Sequence, residues 1–471
     1  MYTKQTITYK SDNRYFAGFL QKIINNTDID AKVSQTKGKI ELYISTKDDK
    51  KVELFNNQLE KYLPYSIFLG DIKNEQIDKM PNIEKFKTPG YEISPCLECL
   101  EQLSDPASVH YLDESLICDH YTDEKPTIKS SNTTFSPHFS QNDSMLITNV
   151  DKLDDMFELT ALEKRVLYSI EKPTIKATIK DETIKNLTNK KFIYIKAPFD
   201  NRSYLISLNA KESGIDYLFF DHENDLNMIV VKENISIIKA SRVAQKLQLI
   251  DKNSIVNRFL NIKNEANYSS GAIGIYFNQN KIAFLVSNEL DSKIVIDFQL
   301  FDSIDCLNNL YKNRPKICKS FEQSFPNILT KIKNNKLTLF ETISYILGLE
   351  DIGFEAVCDK SYEFRGNGGL KIDTNFIKNE DKTQVFDFEA FLGSIMSFKL
   401  ASVDRHFLAY SIFESLADMA IMTMNQLKLK FKINNFIMMG DMFGNSVFYS
   451  RILSKFQLSN PYFAKSIALD K

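Results

Sequence analysis

Between residues 6 and 72 the apolar positions switch repeatedly between strand-like alternation and helical spacing. "TITYK" reads as a short strand and "YFAGFLQKIINN" as an amphipathic helix, while "DAKVSQT" and "KIELYIST" form a hairpin through Lys37-Gly38. "KKVELFNNQLEKYL" is a second amphipathic helix and "SIFLGDI" a last strand, so the order is βαββαβ, the split-βαβ layout. Residues 73–95 read as polar connection and 122–147 as a Ser/Thr/Asn-rich loop with two prolines. From 148 to about 250 the runs "KFIYIKA", "DYLFFD" and "LNMIVVK" alternate with polar stretches, as in a small α/β domain. From 270, "GAIGIYFNQNKIAFLVSNELDSKIVIDFQL" gives three successive strands, turning at 278–280 and 289–292. Helices follow, the longest over about 402–429, and then a buried-type strand, "NFIMMG", runs into the loop and helix of "DMFGNSVFYSRIL".

Three antiparallel strands, helices, then strand, glycine loop and helix is the layout of half of an actin-like ATPase domain. At 471 residues the chain is too long for one core, so about two to four domains are expected. The 59 basic and 61 acidic residues, with a pI near 6.3, lack the basic footprint of a nucleic-acid or membrane-surface binder. "MYTKQTITYKSDNRYF" has no secretory apolar core and no later stretch gives eighteen uninterrupted apolar residues, so a cytoplasmic protein without membrane insertion is expected. In a reducing compartment Cys96, Cys99, Cys118, Cys306, Cys318 and Cys358 are then free thiols or metal ligands.

The candidate chemistry sits in "CLECLEQLSDPASVHYLDESLICDHY", residues 96–121. Two thiolates at Cys-x-x-Cys spacing face one ion across a tight turn, at about 2.3 Å each, and form half of a tetrahedral zinc shell. Cys118 follows after eighteen residues, and Tyr121 stands where a fourth cysteine would complete the pattern. His120, His138 and His110 are alternative fourth donors, whereas a phenol with a pKa near 10 is a poor zinc ligand at neutral pH. The thiols are also accounted for as inert buried residues, or as the remnant of a site that lost a ligand to Tyr121. Elsewhere, "GAIGIY" opens a hairpin rather than a helix and is no dinucleotide fingerprint. The methionines at 419, 422 and 424 fit core packing. No Gly-x-Ser-x-Gly, Walker A or His-Glu-x-x-His pattern occurs.

Residues 94–121 resemble the first zinc finger of HypF, the carbamoyltransferase of nickel-iron hydrogenase maturation. The likeness lies in the cysteine spacing together with Cys99-Leu100, Glu101, Leu103 and Asp105-Pro106. What the resemblance implies is an α+β, multidomain chain in HypF order. An acylphosphatase-like βαββαβ domain (1–75) would precede a zinc-finger-like segment and loop (90–147). A YrdC-like remnant (148–265), in which "LTALEKRVLYSIEKPTIKATIKD" and the linker "NISIIKASRVAQKLQLI" are similar to the family, would lead to a C-terminal Kae1-like (actin-like ATPase) domain (266–471).

Departures from the family are as informative. The anion loop is replaced by "YKSDNR", where Arg14 matches the anion-binding arginine, Gln35 lies near the strand asparagine, and Asp12 adds a repelling charge. Arg14 as a plain surface residue at a helix start is the favoured alternative. In "MGDMFGNSVFYSRIL" Gly440, Phe443 and Asn445 are kept, making Gly440 and Asn445 candidate nucleotide-binding positions. Asp441 replaces a glycine there, Phe413 stands where the family helix has a histidine, and His406 has no partner histidine in the sequence. The chain ends before the family's Asp-Gly-Gly turn. The expectation is an accessory protein of hydrogenase formation that binds a hydrogenase subunit or other maturation proteins. It would hold zinc through Cys96, Cys99, Cys118 and His120 and have no catalytic residues. The rival is an active carbamoyltransferase or ATP-binding enzyme of the HypF type.

Overall fold

The computed structural model describes the chain except residues 1, 46, 85–87, 89–92, 122–132, 141–142, 222–226, 241–253, 289–290, 298–300, 379–383, 457–460 and 471. Residues 241–250 of the expected linker, and parts of the 73–95 connection, the 122–147 loop and the 289–292 turn, lie outside that set. The chain divides into two compact units, residues 1–250 with 465–468 and residues 251–464 with 469–471.

The first unit opens with strand β1 (Tyr2–Tyr9), helix α1 (Tyr15–Thr27), strands β2 (Ala31–Thr36) and β3 (Lys39–Ser45), helix α2 (Asp49–Tyr62) and strand β4 (Leu69–Ile77). The sheet runs β2-β3-β1-β4, all antiparallel, with Gly38 at φ 83° closing the β2–β3 turn. β4 is longer than the apolar run "SIFLGDI" announces. It follows β1 to Tyr2↔Ile77 as an edge strand, and its exposed polar residues hide the alternation.

Helix α3 (Leu97–Ser104) is followed by a second sheet. Its strands are β5 (Phe135–Ser136), β6 (Asp143–Ile147), β7 (Phe157–Glu158), β8 (Thr174–Ile179), β9 (Phe192–Lys196), β10 (Tyr217–Asp221), β11 (Asn227–Val231) and β12 (Asn234–Lys239). Their order is β12-β11-β8-β9-β6-β10-β5, with β7 pairing β8. β6 corrects the reading of 122–147 as loop throughout. "SMLI" lies between β9 and β10 and is buried at every position, so it has no alternation to betray a strand.

One apolar core joins both sheets of this unit, from Phe16 and Phe68 through Cys99 and Leu103 to Ile147 and Ile195. A buried polar tie crosses it. The Glu171 carboxylate accepts bonds from Tyr15 Oη (2.5 Å), Ser66 Oγ (2.6 Å) and Ile67 N (3.0 Å).

In the second unit strands β13 (Ala272–Phe277), β14 (Ile282–Ser287) and β15 (Ser292–Asp297) form an antiparallel meander. After a small hairpin of β16 (Phe376–Lys378) and β17 (Gln384–Phe386), strands β18 (Phe436–Met439) and β19 (Tyr462–Phe463) extend the same sheet in parallel. The order is β15-β14-β13-β18-β19, and β13, β14 and β18 are buried at every position, as expected of strands covered on both faces. Among the described residues one helix, Arg405–Phe431, is long and apolar enough to cross a membrane, yet 78% of its apolar window is buried within the fold. Met419 and Met424 lie in the core and Met422 is exposed.

Candidate metal centre

The Cys-x-x-Cys turn forms because Cys96 is the N-cap of α3, in extended conformation, and Cys99 lies one turn into the helix. Both sulfurs therefore face the same side, and both residues are buried. Leu103 and the cysteines anchor α3 in the core, and Leu112 N bonds Leu103 O to fold the chain back. The side-chain amide of Asn201 donates to Glu114 O (3.1 Å) and Leu116 O (2.7 Å), fixing the approach to Cys118. Asn201 was invisible to sequence reasoning, since it lies more than eighty residues away with no motif around it.

The result brings together Cys96, Cys99, Cys118 and His120, with donor atoms all within 4.8 Å of one another. His120 Nδ1 lies 3.0, 3.6 and 3.9 Å from the sulfurs of Cys96, Cys99 and Cys118. A tetrahedral zinc with arms of about 2.1–2.3 Å spaces its donors roughly 3.5–3.8 Å apart, so the set fits a closed, structural Cys3His shell. The other imidazole nitrogen, Nε2, is 3.2 Å from Glu98 Oε2, the carboxylate–histidine arrangement that orients a metal-binding imidazole. Glu98 too was passed over in the sequence, although it stands between the two cysteines. Among themselves the donors share protons. Bonds to Cys96 and Cys99 hold the Cys118 thiol far below its ordinary value, the bond to Cys118 drives Cys99 up, and bonds to Cys118 and Cys96 push His120 up to about 10.

The alternative donors lie elsewhere. His110 faces Asp113 at 3.4 Å, and His138 is exposed beside β5. Tyr121 is 2% exposed and stacks on Phe19 with ring centroids 5.2 Å apart, so it packs the metal segment onto α1 rather than joining the donor set. α1 comes so close that a side chain on Gly18 would meet Tyr121 O at 2.6 Å.

Arg14 is exposed at the N-cap of α1. The loop before it is satisfied from within: Tyr9 Oη donates to Asn13 Oδ1 (2.7 Å), and Gln35 Nε2 donates to the carbonyls of Ser11 (3.2 Å) and Asn13 (2.7 Å). Gly440 adopts φ 108° where any side chain would collide with the Phe277 carbonyl. Beside it, Asp441 accepts from Gln279 N (3.1 Å) and Gln279 Nε2 (2.9 Å), filling the end of the β13–β14 hairpin with its own carboxylate. Asn445 is fully buried, caps the helix Ser446–Lys455 through Phe448 N (3.0 Å) and donates to Ser361 Oγ (3.2 Å). Phe413 is buried and stacked on Phe340, and His406 stacks on Phe364. Asp418, in the "ESLADMA" helix, forms a bidentate pair with Arg451 at 2.8 Å in both contacts.

The crystal structure of full-length HypF in the phosphate- and nucleotide-bound form superposes on 100% of this chain and 96% of its own, with TM-score 0.58 and 12% identity. The fold is that of HypF. A second structure, T. kodakarensis HypF, superposes over the same shares with TM-score 0.60 and 12% identity. No family model matches the chain. Protein HydE of Wolinella succinogenes is 26% identical over 150 residues, 29% of this chain. The match spans 28% of HydE, so the chain covers less than a third of that relative's length. The HypF likeness in the cysteine segment thus coincides with likeness of fold along the whole chain.

Proposed function

We propose that this protein is an accessory factor of nickel-iron hydrogenase formation, working in the cytoplasm by binding a hydrogenase subunit or another maturation protein. The observation that carries this reading is the HypF fold over the entire chain, and the HydE match supports it independently of structure. In this reading residues 1–75 are the acylphosphatase-like domain, 90–147 the metal segment, 148–265 a YrdC-like remnant and 266–471 the actin-like ATPase domain. Zinc at Cys96, Cys99, Cys118 and His120 would be structural, supplying folding energy rather than a reactive position.

Binding rather than carbamoyl transfer is supported by what fills the family's ligand loops. A carboxylate, Asp441, occupies the loop after β18 and would repel phosphates. At the N-terminal loop the carbonyls are tied by Gln35 and Asp12 adds charge of the wrong sign. Deletion of the gene is expected to impair hydrogenase activity and subunit maturation, and a deletion strain with both intact would refute the accessory role. Thermal melting with ATP and with carbamoyl phosphate separates the rival. A ligand present at about a hundred times its Kd adds roughly 2.7 kcal/mol of stability, and such a shift would restore the HypF-type enzyme reading.

A further inference from the structure

Five of the fifteen exposed large apolar side chains among the described residues fall between Cys96 and Cys118 of the metal cluster, Leu97 at the start of α3 and Val109, Tyr111, Leu112 and Ile117 on the turns after it. Val109 is 94% exposed and Leu112 55%. The stretch is not loose chain. Its two ends meet at the Cys3His cluster, and successive backbone bonds, Ser108 N to Asp105 O, Tyr111 N to Ser108 O and Leu116 N to Asp113 O, hold it in consecutive turns. Apolar side chains displayed on a preorganised loop lose little entropy when covered. Their burial is more favourable than their exposure, and a concentrated apolar display marks an interaction site.

The charge around them selects the partner. Residues 96–121 carry six carboxylates and no lysine or arginine, whereas such residues number 59 in 471 overall, about one in eight. Glu101 and Asp119 are neutralised by Lys61 and Lys22, each at 3.2 Å, along the side facing α2 and α1. Asp105 and Glu114, on the turns that carry the apolar side chains, are exposed and have no cation within ion-pair distance among the described residues. The outer face is therefore apolar with an acidic rim.

We propose that residues 105–117 dock a basic, apolar-anchored segment of a partner protein, with aliphatic or aromatic side chains seated on Val109 and Leu112 and flanking Lys or Arg beside Asp105 and Glu114. This deepens the accessory reading and rests on its premise that the protein acts by binding. The test uses the full-length, zinc-loaded protein and a fluorescein-labelled peptide of about twelve residues built from Leu and Lys, read by anisotropy. Peptides with Glu for Lys and with Ser for Leu are the controls. The Leu/Lys peptide is expected to bind and both controls to fail. Val109→Ser/Leu112→Ser should weaken binding at least tenfold, and Asp105→Asn/Glu114→Gln should weaken it while flattening its salt dependence. Metal content and thermal melting report that both variants are folded. Equal binding by wild type and both variants, or equal binding of the Glu peptide, would overturn the proposal. So would light scattering that finds a dimer dissolved by Val109→Ser/Leu112→Ser, which assigns the face to a second copy. In a deletion strain, normal hydrogenase maturation with the Val109→Ser/Leu112→Ser form overturns the docking face alone, whereas no defect from the deletion itself overturns the accessory role.

Discussion

Removing the Glu98 carboxylate isolates a polar contact that orients His120 without touching a donor. Glu98 Oε2 lies 3.2 Å from Nε2, on the far side of the ring from the sulfurs, so Glu98→Ala leaves three thiols and an imidazole in place but frees the ring to turn and to change tautomer. Outer-shell partners of metal-bound histidines typically contribute about 10–100-fold in affinity, or roughly 1.4–2.7 kcal/mol at about 1.36 kcal/mol per decade. The Glu98 side chain is 37% exposed, so water replaces part of the lost bond and the lower end of that range applies, about tenfold. Glu98→Gln keeps an oxygen facing the ring without the charge and should fall between wild type and Glu98→Ala, because charge-assisted bonds are about twice as strong as neutral ones. Zinc competition against a chromophoric chelator on the full chain measures the three affinities. His110→Ala is the control, since His110 faces Asp113 outside the cluster, and should bind zinc as wild type does. Equal affinity of Glu98→Ala and wild type would refute the positioning argument, and a His110→Ala loss as large would refute the assignment of the fourth donor.

Glu171→Ala removes the acceptor on which the Tyr15 and Ser66 hydroxyls and the Ile67 amide converge, and urea unfolding should register a loss of about 3–5 kcal/mol. Burial raises the Glu171 pKa, so its contribution is complete below the unfolded carboxyl value of about 4.3 and is lost as pH rises through the folded value. A comparison of melting between pH 4 and 8 should find that decline in wild type and a shallower one in Glu171→Gln. Tyr121→Phe should keep its zinc, measured by metal analysis, while Tyr121→Ala should lose about 3–5 kcal/mol of stability with the donors intact. Gly440→Ala combines a left-handed φ with a collision against Phe277 and should cost about 3–5 kcal/mol in thermal or urea unfolding.

What the sequence by itself determined is local. The βαββαβ order, the three-strand meander from Ala272 and the Cys-x-x-Cys turn all follow from periodicity or spacing within a few residues of each other, where backbone geometry leaves few choices. The three cysteines of the cluster were legible as candidates for the same reason. What only the tertiary structure decided is which distant groups meet. The choice of His120 over His110 and His138 is a matter of a few ångströms around Cys96, set by the chain reversal at Leu112 and the Asn201 amide. β6 escaped because a strand buried on both faces loses its alternation, and the length of β4 because an edge strand beside β1 needs few apolar residues. Glu171 in the core beside Tyr15 was equally unreadable, because a buried carboxylate is tolerated only where donors from another part of the chain converge on it, and no local pattern records that convergence.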